Sequence, residues 1–123
     1  MLQWLPVLVY AGLIFYLSAQ PYLTLPGGFL LAIDPEVLVF HLFEYIPLGF
    51  LAARAVSKTN RLSSYNPRSF PMFIGAAYGL SDELHQYFVP GRTASPLDAM
   101  ADTIGVAFGV FIWGILMDWR HKL

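Results

Sequence analysis

Over 123 residues the chain is 57% hydrophobic and only 12% charged, with a formal net charge of −1, which is too short for two domains and too apolar for an ordinary small soluble one. The expectation is an all-α integral membrane protein, with residues 1–123 forming a single transmembrane domain. The lack of cysteine excludes disulfides, thiolate metal sites and cysteine nucleophiles, and no nucleic-acid partner is expected.

The first candidate span, residues 2–19, is apolar apart from Gln3, Pro6 and its last few positions. It has no basic leading segment and no clear small-x-small cleavage site, so it reads as a membrane anchor rather than a signal peptide. The second, residues 37–56, carries His41, Glu44 and Arg54. A polar connector rich in Ser, Asn and Arg, with Pro67, follows it. The third, residues 70–88, is cleanly apolar only as far as Leu80, which leaves a re-entrant hairpin as its alternative. Pro90-Gly91 signals a turn, and Ser95-Pro96-Leu97-Asp98 resembles a capping box with proline at the first helical position. The fourth span, residues 96–117, opens with two aspartates and runs apolar from Thr103. Each fits about 20 residues of helix, the length that a hydrocarbon core of roughly 30 Å demands.

Orientation follows from the bases. Arg54, Lys58, Arg61 and Arg68 flank or lie in the connector between spans two and three, and Arg120 and Lys122 follow span four. The positive-inside rule makes that side cytoplasmic and puts both termini there. The segments between spans one and two, with Asp34 and Glu36, and between spans three and four, with Arg92, are then external. Trp113 and Trp119 toward the inner end, with Tyr16 and Tyr22 toward the outer, suit interfacial aromatic belts.

Charged side chains inside such spans are disfavoured by roughly 2.5–3.5 kcal/mol at the bilayer centre, so their positions carry information. Gly75, Gly79, Asp82 and Gln86 form one stripe of span three, and Asp98, Asp102, Gly105 and Gly109 one stripe of span four. Since the two spans run in opposite directions, both stripes place glycines deep and polar groups outward. Spans three and four are therefore expected to pack as a tight hairpin through their glycines. His41 and Glu44, three apart on span two, reach a similar depth. A shared cluster of His41, Glu44, Asp82, Glu83, His85, Gln86, Arg92, Asp98 and Asp102 in the outer leaflet is the economical reading.

Asp98 has an equally simple role as a helix cap, and the glycines have one as packing residues. Arg92 is an obvious counter-ion for Asp82, Glu83 or Asp98, or for an anionic ligand. A divalent cation could be held by His41 and Glu44 from one helix with Asp82 or Glu83 and His85 from another, although this spacing is common by chance and no His-Glu-x-x-His motif is present. Carboxylates beside a histidine also suit general acid and base work. No nucleophile elbow points to covalent catalysis.

Three runs together resemble a known family. They are His41-Leu-Phe-Glu-Tyr45 with Leu48-Gly-Phe-Leu51, then Tyr78-x-x-x-Asp82-Glu83-x-x-Gln86-x-Phe88-x-Pro90-Gly91-Arg92, then Asp98-x-x-x-Asp102-x-x-Gly105. The pattern resembles the VanZ-like family of small bacterial membrane proteins. The resemblance implies a helical, multi-pass protein of the bacterial cell (inner) membrane, in a family whose named member is associated with resistance to the glycopeptide teicoplanin by no settled enzymatic reaction. Two departures stand out. Relatives often carry a base just before the histidine, where this chain has Val37, Leu38, Val39 and Phe40, and often have asparagine at the position of Asp102. Both changes make the cluster more negative and favour a cation or cationic group as its ligand.

The leading expectation is binding of an envelope lipid headgroup or a lipid-linked cell-wall precursor. A membrane-embedded, metal-assisted enzyme acting on a lipid-linked substrate is the alternative, and a purely structural polar network is a third reading. Membrane lipids are expected partners, and four short spans are compatible with a homo-oligomer.

Overall fold

The computed structural model describes residues 1–20, 35–59, 62, 64–92 and 94–123. Among them are four helices and no strand: α1 Leu5–Ser18, α2 Pro35–Ser57, α3 Ser69–Tyr87 and α4 Pro96–Lys122. Most of the segment expected between the first two spans, with Tyr22 and Asp34, lies outside the described residues, as does Arg61.

Local chemistry sets the helix ends. Pro6 sits in the first turn of α1, where its missing amide hydrogen is harmless, whereas a helix running far upstream of it would lose a bond and clash. Residues 1–4 instead make a turn closed by Trp4 N–H to the Met1 carbonyl at 3.1 Å, so α1 has 14 residues and is shorter than the apolar run suggests. Asn66 Oδ1 accepts the amides of Arg68 and Ser69 at 2.9 and 3.0 Å and starts α3. This helix then continues unbroken for 19 residues, so the re-entrant alternative does not form. Its late polar residues do not end it, because Asp82, Glu83 and Gln86 turn inward and are buried. Helix α4 has Ser95 as N-cap, Pro96 in the first turn and Arg120, His121 and Lys122 in the last, where positive charge favours the helix dipole.

Between α3 and α4 the expected turn is present. Arg92 N–H donates to the Val89 carbonyl at 3.1 Å, and Gly91, after Pro90, has φ 81°. Proline second and glycine third is the type II arrangement, and a side chain at the third position meets the left-handed penalty of about 1–2 kcal/mol. Gly91→Ala is therefore expected to lower stability by about 1 kcal/mol, read as a lower melting temperature of the detergent-solubilised protein, with no change of fold.

Helices α3 and α4 pack on each other, but only the glycines of α3 serve that contact. The glycines of α3 do face α4: a methyl group at Gly75 would strike the Val106 side chain, and one at Gly79 would lie 3.1 Å from Asp102 Cβ. Gly105 and Gly109 of α4, however, face α2. A methyl at Gly105 would overlap the Leu42 carbonyl oxygen, one at Gly109 that of Ile46, and one at Gly49 that of Val106. Helix α4 thus packs on both α2 and α3, which also touch each other through Tyr45, Tyr78 and Asp82, and the tightest backbone approach is between α4 and α2. Gly49 on α2 with Gly105 and Gly109 on α4 allow it, each leaving room for a backbone carbonyl of the other helix.

The core between these helices is formed by Tyr45, Leu48, Ala52, Val106 and Val110, with Ile14 and Val7 from α1. Helix α1 is tied on by aromatic donors. Trp4 Nε1 reaches Thr59 Oγ1 at 3.1 Å, Tyr10 OH reaches the Glu44 carbonyl at 2.8 Å, and Tyr78 OH reaches the Ala11 carbonyl. The Trp4 bond sets the first residues beside the α2–α3 connector, and Arg68 lies near Gly114 in the second half of α4. Lys58, Arg68 and the basic end of α4 therefore gather toward one end of the bundle, and the acid-bearing ends of α3 and α4 lie at the other. The outer surface is apolar, with Leu8, Leu13, Phe43, Phe73, Leu84, Phe108 and Phe111 all exposed. Two helical segments, Val37–Ser57 and Pro96–Lys122, are long and apolar enough to cross a membrane.

Candidate functional site

The start of α2, the end of α3 and the start of α4 converge, and each brings polar side chains inward. At 100° per residue, positions 41 and 45 of α2 lie 40° apart while 41 and 44 lie 60° apart on the other side. The tertiary packing chooses the first pair. His41 and Tyr45 are buried against α4 and α3, and Glu44 is only half-buried, its backbone carbonyl bonded to α1 through Tyr10.

His41 is the hub. Its Nδ1 lies 2.8 Å from Asp102 Oδ1, and its Nε2 lies 3.9 Å from Asp98 Oδ2. A carboxylate oxygen can only accept, so this bond puts the proton on Nδ1 and directs Nε2 toward Asp98. Asp102 has no exposed surface at all. It fits there because Gly79 on α3 leaves room, with Asp102 Oδ2 3.4 Å from where a Cβ would stand.

Asp82 makes a second focus. Its Oδ2 accepts from Tyr45 OH at 3.3 Å and from Gln86 Nε2, one turn along α3, at 3.2 Å. Tyr45 is thus a site residue that counting acids and histidines missed. Its signal was available, since it is four residues after His41.

Glu83 links the two helix ends. The capping box expected at Ser95 is half made: Ser95 Oγ accepts from Leu97 N at 3.2 Å, but the Ser95 amide is taken by Glu83 Oε2 at 3.0 Å. The acid that completes the cap comes from α3, and the Asp98 carboxylate reaches toward His41.

Several predicted residues stand elsewhere. His85 is half-buried and stacks on Phe15 of α1 with ring centroids 4.4 Å apart, away from the His41 hub. The metal set imagined from His41 with Glu44 and from Asp82 or Glu83 with His85 is therefore not assembled. Arg92 forms no ion pair among the described residues. The candidate acids have other contacts, Asp82 with Tyr45 and Gln86 and Glu83 with Ser95, and Arg92 lies close enough for its charge to act on Glu44.

Despite these bonds, Asp82 Oδ1, Glu83 Oε1 and Asp102 Oδ2 are buried with no hydrogen-bond partner among the described residues. Such acceptors are uncommon in a folded interior, and leaving one unmatched costs about 1–3 kcal/mol, more for a charged group. Three together describe a site with unused capacity for a donor or a cation.

The VanZ/LLP1 family model matches residues 3–117. The chain belongs to the VanZ/LLP1 family. Because the match runs from before α1 to Met117 in α4, the family domain of this VanZ/LLP1 chain includes α1 to α3, most of α4 and every residue of the convergence described above. No curated protein and no solved structure matches this VanZ/LLP1 chain.

Proposed function

We propose that this VanZ/LLP1 chain is a multi-pass protein of the bacterial inner membrane, with four spans and both termini cytoplasmic. Its outer polar cluster binds the headgroup of an envelope lipid or of a lipid-linked cell-wall precursor. The observation that carries the reading is the set of unmatched carboxylate oxygens of Asp82, Glu83 and Asp102, buried where three helix ends meet. Ionisable groups inside membrane-spanning segments face bundle interiors and mark ligand sites. An apolar exterior beside this polar interior supports the membrane placement. The gathering of bases at the opposite end supports the orientation. Arg92, without an ion pair among the described residues, offers a donor for an anionic part of the ligand. Occupying such a headgroup at the outer surface would change drug access there, which connects the site to glycopeptide resistance.

Binding can be measured by titrating short-chain phosphatidylglycerol, and separately a lipid-linked cell-wall precursor, into the detergent-solubilised protein. Asp82→Asn and Arg92→Gln are each expected to weaken binding of at least one ligand by about tenfold or more, with folding intact. Equal binding by wild type and both variants rejects the reading. The orientation has its own check: cysteine at Ala94 is expected to react with an impermeant thiol reagent in intact cells and cysteine at Ser64 only after lysis. The reverse pattern would overturn it.

A second reading has one observation in its favour. His41, oriented by Asp102, has the geometry of a base with its positioning carboxylate. Hydrolysis of a lipid-linked substrate, abolished by His41→Gln in a protein that still binds it, would establish that alternative.

A further inference from the structure

His41, Glu83 and Asp102 come from three different helices, yet each can place one ligand atom so that all three atoms lie within 4.8 Å of one another. The residues are 4%, 7% and 0% exposed. Had these groups served only to hold helices together, their acceptors would be matched by donors. Instead Glu83 and Asp102 each satisfy one carboxylate oxygen and leave the other buried without a partner among the described residues.

We propose that His41, Glu83 and Asp102 form a site for a first-row divalent cation, Zn²⁺ or Mn²⁺. The donor set selects the class. One imidazole nitrogen with carboxylate oxygens suits these ions better than Ca²⁺ or Mg²⁺, which take oxygen-rich sets, or Cu⁺, which takes sulfur. Ligand bonds of about 2.0–2.2 Å place the ligand atoms of a tetrahedral site about 3.4 Å apart. The three ligand atoms, all within 4.8 Å of one another, would close toward that separation on binding an ion. Asp98 Oδ2, 3.9 Å from His41 Nε2, stands beside the site as a further oxygen donor.

Charge points the same way. Asp82, Glu83 and Asp102 are buried beside the His41 imidazole, and among the described residues none of the three forms an ion pair with a lysine or arginine, so a divalent cation would offset their charge. Three protein ligands leave a coordination position open. A headgroup phosphate oxygen can fill it, so an acid-lined site can accept an anionic ligand, with Arg92 as a second donor. This last step rests on the headgroup-binding reading; the cation site does not.

The test is a metal titration of the detergent-purified, chelator-stripped chain with Zn²⁺ and with Mn²⁺, counting bound ion and following the melting temperature. Binding of about one ion per chain with a raised melting temperature is expected for one of the two. Glu83→Gln keeps a carbonyl to accept the Ser95 amide, and Asp102→Asn keeps one for His41. Both are therefore expected to fold, to bind at least tenfold more weakly and to lose the thermal shift. Asp118→Asn, far along α4, should bind as wild type. A folded wild type that binds neither ion overturns the proposal, as does binding that Glu83→Gln and Asp102→Asn leave unchanged. Repeating the phosphatidylglycerol titration in chelator separates the two ideas. Headgroup binding that persists where no metal binds removes the cation and leaves the lipid site, and metal binding with no lipid binding does the opposite.

Discussion

Gly109→Ala is expected to lower stability by about 3 kcal/mol and to reduce the yield of monodisperse protein sharply. The new methyl would overlap the Ile46 carbonyl oxygen and crowd Phe50 N and Gly49 C, all backbone atoms of α2. A flexible side chain could swing away; a helix backbone can yield only by separating the helices. Separation would loosen the packing of Tyr45, Leu48, Val106 and Val110, so the loss should spread through the core. Gly105→Ala meets the Leu42 carbonyl in the same way and should behave alike. Gly12→Ala is the control, because nothing stands within 4 Å of its Cβ position, and alanine there should be neutral or stabilise α1 by up to about 1 kcal/mol. Comparable melting temperatures for Gly109→Ala and Gly12→Ala would reject the close α2–α4 approach.

His41→Ala should lower stability by about 3–5 kcal/mol, the range for a buried ion-paired network that loses one partner. Asp102 would keep a fully buried carboxylate whose Oδ1 has lost its 2.8 Å bond, next to an Oδ2 that already has none among the described residues. The origin of the loss can be separated with a double variant. If the uncompensated carboxylate is responsible, His41→Ala combined with Asp102→Asn should be distinctly more stable than the sum of the two single changes predicts. Melting temperatures of the four proteins, measured at one pH and one lipid composition, give the coupling. Additive effects would show that His41 acts through packing alone.

The polar stripes were readable because helical spacing is a local property. Asp82 with Gln86 and Asp98 with Asp102 are four residues apart, and all four are buried as that spacing implies. Tyr45 carried the same kind of signal and was passed over because a tyrosine in an apolar helix resembles ordinary core. Glu44 and His85 were grouped with the cluster on spacing, but an interval of three residues places two side chains near each other without saying which one a neighbouring helix will cover. Phe15 of α1 takes the His85 ring, whereas Glu44 gives only its backbone carbonyl to α1 and lies close enough to His41, Asp82 and Asp102 for their charges to act on it.

By itself the sequence determined the all-helical class, the Pro90-Gly91 turn, the start of α4 at Ser95 and the faces on which acids and glycines lie, because periodicity, capping and turn chemistry act over a few residues. Only the tertiary structure decided that α4 makes its closest backbone approach to α2, that Glu83 rather than Asp98 caps Ser95, and that His41 meets Asp102 across 61 positions of chain. Those outcomes depend on which notch receives which backbone. Gly49, Gly105 and Gly109 settle it together, since their missing side chains let α2 and α4 approach closely enough to bring His41 onto Asp102.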